Sequence, residues 1–331
     1  MNTPILDIRG LTARFMTRAG LVTAVDHVRL SIDPRETVCV VGESGSGKSV
    51  MALSVMGLLP RPHGRITDGV IDFQGRDLAR LSPREMKQIR GNRISMIFQE
   101  PMTSLNPVFT TGFQIAEVLR KHRGMTRKQA REEAIEVLGR VGIPEPRKRA
   151  GDYPHQLSGG MMQRVMIAMA LSCLPALMIA DEPTTALDVT IQAQILDLML
   201  RLKTETNMAV WFITHDLGLV ADIAQKVAVM YAGRIVEQAE VRELFSNPLH
   251  PYTIGLFDSL PRIGGRKGRL TPIKGSVPGL NQLPSGCAFQ DRCESAASAD
   301  CGIHPPELIE IRSGHWVACH LHAKSTDLIR S

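Results

Sequence analysis

The chain has 331 residues, 44% hydrophobic and 22% charged, a composition that excludes a disordered or collagen-like protein and allows two domains, or one with a sizeable appendage. Lys and Arg exceed Asp and Glu by 39 to 33, for a net charge of +6. They are scattered without a long basic block, so the balance points only weakly to nucleic acid or an anionic membrane surface. The opening residues Met1-Asn2-Thr3-Pro4-Ile5-Leu6-Asp7 lack a basic region followed by an apolar core, so no secretory signal is expected and the protein is expected to be soluble and cytoplasmic.

In chain order, Ile5–Ile8 and Val22–Ile32 alternate in the manner of half-buried strands. The apolar run Thr37–Val41 leads into a glycine-rich segment and then the helix-forming Val50-Met51-Ala52-Leu53. Gly69–Phe73 with Gly75 predicts a strand and turn, and Ile94–Phe98 a strand that ends at Gln99. Between about 108 and 172 the period becomes helical, over Ile115–Leu119 and Arg131–Val141, broken at Gly124 and at Gly142–Pro146. The almost wholly apolar run Val165–Ala180 is shorter than the ~20 residues of a membrane span. Pro175 cuts it, so it predicts a buried helix followed by a buried strand at Ala176–Ala180. Ile191–Lys203 is an amphipathic helix and Ala209–Thr214 a buried strand. Beyond about 262, Pro261-Arg262-Ile263-Gly264-Gly265-Arg266-Lys267 predicts a linker before a cysteine-bearing tail. Strands alternating with helices predict an α/β fold, with a mostly parallel sheet covered on both faces and a helical insertion at 108–172.

The segment Gly42-Glu43-Ser44-Gly45-Ser46-Gly47-Lys48-Ser49 fits G-x-x-x-x-G-K-[ST]. A strand turning through glycines into a helix aims consecutive N–H groups and the positive end of the helix dipole at one small volume, which suits a polyphosphate. Gly42, Ser44, Gly45 and Gly47 shape that cradle. Lys48 reaches the β/γ-phosphates and Ser49 takes a position on Mg²⁺. The expected ligand is a nucleoside triphosphate. Farther on, Leu157-Ser158-Gly159-Gly160-Met161-Met162-Gln163-Arg164 precedes a helix, and Asp181-Glu182 closes the strand at 176–180. Asp181 stands where a carboxylate holds Mg²⁺, and Glu182, one residue on, where it polarises an attacking water.

At this point residues 5–260 resemble the ATP-binding cassette ATPases. The series runs in order: phosphate loop at 42–49, Gln99 after a strand, Leu157-Ser158-Gly159-Gly160, Asp181-Glu182, Ala186-Leu187-Asp188, and His215 after a strand. The resemblance implies a P-loop NTPase core with an N-terminal antiparallel β subdomain, and ATP with Mg²⁺ as its ligands. It implies Glu182 as the general base, His215 as the residue that contacts the γ-phosphate and Gln99 on Mg²⁺ or the water, with Phe15 stacking on adenine. It further implies that Ser158, Gly159 and Gly160 reach ATP bound to a second ATPase subunit, identical or related, with Asp188 coupling the two sites. Met161-Met162 departs from the Gln-rich continuation common in the family.

Glu100-Pro101-Met102-Thr103-Ser104-Leu105-Asn106-Pro107, Asn247-Pro248-Leu249-His250-Pro251-Tyr252-Thr253 and Gly286–Cys293 resemble, more narrowly, the ATPase subunits of oligopeptide/dipeptide importers, and carry the likeness through Cys319. That implies an ATPase domain at 1–261 and a C-terminal extension at 262–331. It also implies two membrane-spanning permease subunits as partners, an extracytoplasmic solute-binding protein indirectly, no nucleic acid, and a peripheral place on the cytoplasmic face of the inner membrane. The alternative is a soluble cassette ATPase acting on nucleic acid or ribosomes. Such proteins usually carry two cassettes, long insertions or strongly basic stretches.

Of six cysteines, Cys39 and Cys173 lie in apolar runs as small core residues. Cys287, Cys293, Cys301 and Cys319 follow C-x5-C-x7-C-x17-C. Four thiolates in a reducing compartment suggest a metal centre. Zinc prefers a closer pair, whereas a loop wrapping a [4Fe–4S] cluster tolerates this spacing, and the resembled subfamily carries one. His304, His315 and His320 leave a Cys/His zinc site as the alternative.

Overall fold

In the computed structural model of the chain, residues 3–18, 20–100, 104–185, 187–259, 273–296 and 299–323 are described. The expected linker at 261–267, Pro101-Met102-Thr103 and Ala186 lie outside them. Twelve strands are present among the described residues: β1 (Leu6–Thr17), β2 (Gly20–Ile32), β3 (Thr37–Val41), β4 (Gly64–Phe73), β5 (Arg76–Asp77), β6 (Ile94–Ile97), β7 (Leu177–Asp181), β8 (Ala209–Thr214), β9 (Lys226–Tyr231), β10 (Arg234–Glu240), β11 (Ile309–Arg312) and β12 (His315–Val317). The chain forms two compact units, one of residues 1–5, 32–36 and 80–212 and one of residues 6–31, 37–79 and 213–331.

The first unit holds β6, β7, most of β8 and the helical insertion. β6 and β7 pair in parallel, Ile94 opposite Leu177 and Ile97 opposite Ala180. All five residues of β7 are buried, as continuous apolar strands between two covered faces require. The insertion contains helices Thr111–Arg123 and Arg127–Arg140, separated by Gly124 in the left-handed conformation. The second begins four residues ahead of the periodic run because Thr126 and Gln129 form a capping box. The run 165–180 is a helix, Gly159–Leu171, followed by β7 as expected. No helix among the described residues is long and apolar enough to cross a membrane.

The second unit contains the N-terminal sheet, ordered β2-β1-β4-β5, in which β1 and β4 run antiparallel with Leu6 opposite Phe73 and Ile8 opposite Ile71. Inward Leu6, Ile8 and Ile71 are fully buried while Asp7 and Arg9 point outward, the period-2 signature seen in the sequence. The unit also carries strands in the order β11-β12-β10-β9-β3. Only β3 with β9 is parallel there, and β9–β10, β10–β12 and β11–β12 are antiparallel. The sheets are therefore mixed, because the β9–β10 and β11–β12 hairpins add antiparallel strands that a simple alternation of strand and helix does not supply.

β12 joins the C-terminal extension to β10, with Glu237 opposite Val317 and Gln238 opposite Trp316. A buried polar cluster fixes that join. The Glu237 carboxylate, fully buried, accepts hydrogen bonds from the Leu249 N–H (2.7 Å) and the His250 N–H (2.9 Å). It also pairs with His315 Nε2 at 2.8 Å, and His315 Nδ1 lies 3.3 Å from Glu243. A buried carboxylate is tolerated only when its oxygens are met by donors, as here. The same contacts hold the segment Asn247–Tyr252 that opens the helix Pro251–Asp258.

Candidate functional site

The phosphate loop leaves β3 at Gly42 and closes on Gly47, the N-cap of helix Lys48–Val55. Gly42 has φ +152°, and a Cβ there would overlap the Met230 carbonyl oxygen, so no side chain is accommodated. Lys48 is buried, and its Nζ donates to the carbonyls of Gly42 and Glu43 (2.8 Å each) and lies 3.2 Å from Ser46 Oγ. The ammonium thus ties the loop to itself. Ser44 and Gly45 are exposed at its tip and Ser49 is half-buried. Phe15 is half-buried on β1 opposite Gly64, where a Cβ on the glycine would come within 2.7 Å of its ring.

Two contacts on this loop were not foreseen. Arg292 of the extension grips Glu43 with both arms, Nη1 to Oε2 at 2.7 Å and Nη2 to Oε1 at 3.0 Å. The Glu43 N–H donates to the Tyr252 hydroxyl at 2.9 Å. Tyr252, Tyr231 and Phe289 form an aromatic cluster beside them, with ring centroids 4.6–5.4 Å apart. His250 is buried under it; burial pushes its pKa down to about 3, so the neutral ring accepts the Tyr252 N–H at 3.0 Å. The one available sequence signal was Tyr252, inside the Asn247–Thr253 motif.

In the first unit, Asp181 is buried at the end of β7 and Glu182 follows, half-buried, with φ +45°. Left-handed backbone in a glutamate costs of order 1 kcal/mol and marks a position held by its surroundings. Gln99 Nε2 donates to Glu182 Oε2 at 3.1 Å, and the Thr185 hydroxyl meets the same oxygen at 3.0 Å. The structure therefore brings Gln99 and Glu182 together and adds Thr185, which the sequence did not single out. Ser158 is exposed and caps the helix Gly159–Leu171, its Oγ accepting the Met161 N–H at 3.4 Å. Asp188 caps the helix Val189–Thr206 through the Ile191 N–H at 3.0 Å. Gly160 packs on the Ile191 side chain, so the two helix starts adjoin. In the second unit, His215 is exposed just past β8, and Asp216 beside it caps the helix Leu217–Ile223.

Cys287, Cys293, Cys301 and Cys319 line one cavity of about 10 Å³, together with His250, Phe289 and His320. Gly286 allows the approach: a Cβ would strike the Cys301 carbonyl, to which the Cys287 N–H donates at 2.8 Å. Burial, reinforced by the neighbouring sulfurs, pushes the Cys319 thiol up to about 11, so without a cation it stays protonated. Four thiols suit iron or zinc in kind. Among the described residues no group of three or more His, Cys, Asp or Glu is already arranged to hold a metal ion, so a bound cluster would have to draw the four sulfurs closer together. Of the histidines of the zinc alternative, His320 borders this cavity but has its Nε2 2.8 Å from the His304 carbonyl oxygen, and His315 is spent on Glu237 and Glu243.

Residues 25–185 match the family described as ABC transporter, and residues 236–301 match the oligopeptide/dipeptide transporter C-terminal region. A peptide import ATP-binding protein of Brucella melitensis is 57% identical over 327 residues, covering 96% of each chain. The oligopeptide transport ATP-binding protein AppD of Bacillus subtilis is 51% identical, over 96% of this chain and 97% of its own. Among solved structures, a dimeric bacterial ABC transporter cassette matches with a TM-score of 0.64 and 30% identity, over 72% of this chain and 99% of that one. The motif series, the phosphate loop and the full-length likeness converge: the chain belongs to the ATP-binding proteins of ABC transporters, in the oligopeptide/dipeptide import family.

Proposed function

We propose that this chain is the ATP-hydrolysing subunit of an ABC importer that takes up di- or oligopeptides or a related small solute. One observation carries the reading: the likeness to relatives named for peptide transport extends over 96% of the chain and takes in the C-terminal region as well as the phosphate loop. In this reading Lys48 and the amides of Ser44, Gly45 and Gly47 hold the phosphates, Gly42 gives the loop its shape, and Phe15 stacks on adenine. Ser49, Gln99 and Asp181 offer a hydroxyl, an amide oxygen and a carboxylate, a hard donor set that suits Mg²⁺, which when bound offsets charge on the phosphates. Glu182 takes the proton of the attacking water, oriented by Gln99, and His215 contacts the γ-phosphate.

Ser158, Gly159, Gly160 and Asp188 serve the ATP of a second ATPase subunit. Residues 1–261 work as the ATPase domain, with the helical segment about 108–172 seating loops of two membrane-spanning permease subunits. Closure on ATP then moves those loops and reorients the solute path. An extracytoplasmic binding protein delivers the solute, and the chain acts from the cytoplasmic face of the inner membrane, without a nucleic-acid partner. Purifying the chain with its associates tests this: it should come with membrane-spanning subunits and release phosphate from ATP. Ser158→Arg in that complex should cut turnover by at least about 100-fold, while the isolated variant chain still binds ATP. Recovery on nucleic acid or ribosomes, with no membrane subunit, would overturn the reading.

The four C-terminal cysteines belong to the same proposal as the donors of a metal centre, a [4Fe–4S] cluster with Zn²⁺ as the alternative; their meeting on one cavity supports it. Anaerobically purified chain should carry about four irons, and Cys301→Ser should lose them. One zinc per chain would replace the cluster, and neither metal would leave four thiols.

A further inference from the structure

We propose that Arg292, in the C-terminal extension, is a positioning residue for the phosphate loop: it neutralises and pins the Glu43 carboxylate so that the loop accepts a polyphosphate. This rests on the ATP reading and adds a residue 249 positions away in sequence.

A carboxylate inside a phosphate-binding loop is a liability, because its charge opposes the ligand. The Lys48 hydrogen bonds to the Gly42 and Glu43 carbonyls and Ser46 do not meet that carboxylate. Arg292 does, through a bidentate pair, the strongest geometry available between these groups. The guanidinium is itself held in place. Its side chain is only 6% exposed, Nε donates to the Lys274 carbonyl at 2.9 Å, and Nη1 lies 3.4 Å from the Tyr231 hydroxyl. The cation sits 5.8 Å from the ring centroids of both Tyr231 and Phe289. Tyr252 accepts from the Glu43 N–H while Arg292 pairs with its side chain, so two of the contacts on this loop residue come from beyond residue 250. Surface ion pairs at the ends of flexible side chains contribute little, but this one is immobilised and largely desolvated.

ATP binding to the full chain, titrated at fixed salt with thermal unfolding as the folding control, tests the assignment. Arg292→Ala and Arg292→Gln should each weaken ATP binding by about tenfold or more, because both leave the carboxylate uncompensated. Glu43→Gln combined with Arg292→Gln should recover affinity to within about threefold of the parent, a rescue that a merely structural role does not produce. Arg292→Gln keeps most of the packing, so it answers the question even if Arg292→Ala does not fold. ATP affinity unchanged in Arg292→Gln, or a double variant as weak as the single, would overturn the proposal. Failure of the parent chain itself to bind ATP would instead overturn the ATP reading on which it rests.

Discussion

Glu182→Gln is expected to lower ATP turnover by about 10²–10⁴-fold, the contribution of a general base, with ATP still bound. The substitution preserves the surroundings seen here. Glutamine keeps an oxygen for the Thr185 hydroxyl, which now meets Glu182 Oε2 at 3.0 Å, and the left-handed backbone at this position is unaltered. Gln99, 3.1 Å from the same oxygen, still finds an acceptor. What is lost is the capacity to take a proton from water. Phosphate release by the intact complex, read beside an ATP titration of the same preparation, separates the two effects. Turnover close to the parent's would mean that the proton goes elsewhere and that Glu182 has a different role.

Lys48→Ala is expected to act one step earlier, on binding. Its ammonium bridges the Gly42 and Glu43 carbonyls, so truncation removes a charge for the phosphates and also unties the loop that presents the amides. ATP affinity should fall by about 100-fold or more, the scale of losing a charge-assisted hydrogen bond together with preorganisation. The loop itself should become more susceptible to protease. An ATP titration indistinguishable from the parent's would show that the amides of the loop suffice without the lysine.

The parts of the fold set by local chemistry were legible from the residues. β3, the glycine turn and the helix at Lys48 announced themselves because a strand that runs through glycines into a helix has few alternatives. β7 ending in Asp181-Glu182 was legible because a continuous apolar run of that length, closed by acids, fits a covered strand. The Glu43–Arg292 pair was not, since neither residue stands out locally and only tertiary folding brings them together. Nor was the left-handed backbone of Glu182, which glycine or asparagine would have advertised. The β11–β12 hairpin escaped because the tail carries only short apolar runs, and its strands exist by pairing with β10 rather than by their own periodicity. Spacing grouped the four cysteines and the structure gathers them on one cavity, but spacing carries no information on how far apart the sulfurs stand.

The pairing of β12 with β10 makes the last part of the chain a poor candidate for grafting. A shortened version ending near residue 261 would lay bare the row of N–H and C=O groups along β10 that Trp316 and Val317 now cover, inviting a neighbouring molecule to add its own strand. It would also strip His315 from the buried Glu237. A chimera that borrowed this tail from a relative would have to inherit its counterparts as a set, with Glu43 matched to Arg292 and Glu237 matched to His315, or it would carry unanswered charges at both seams.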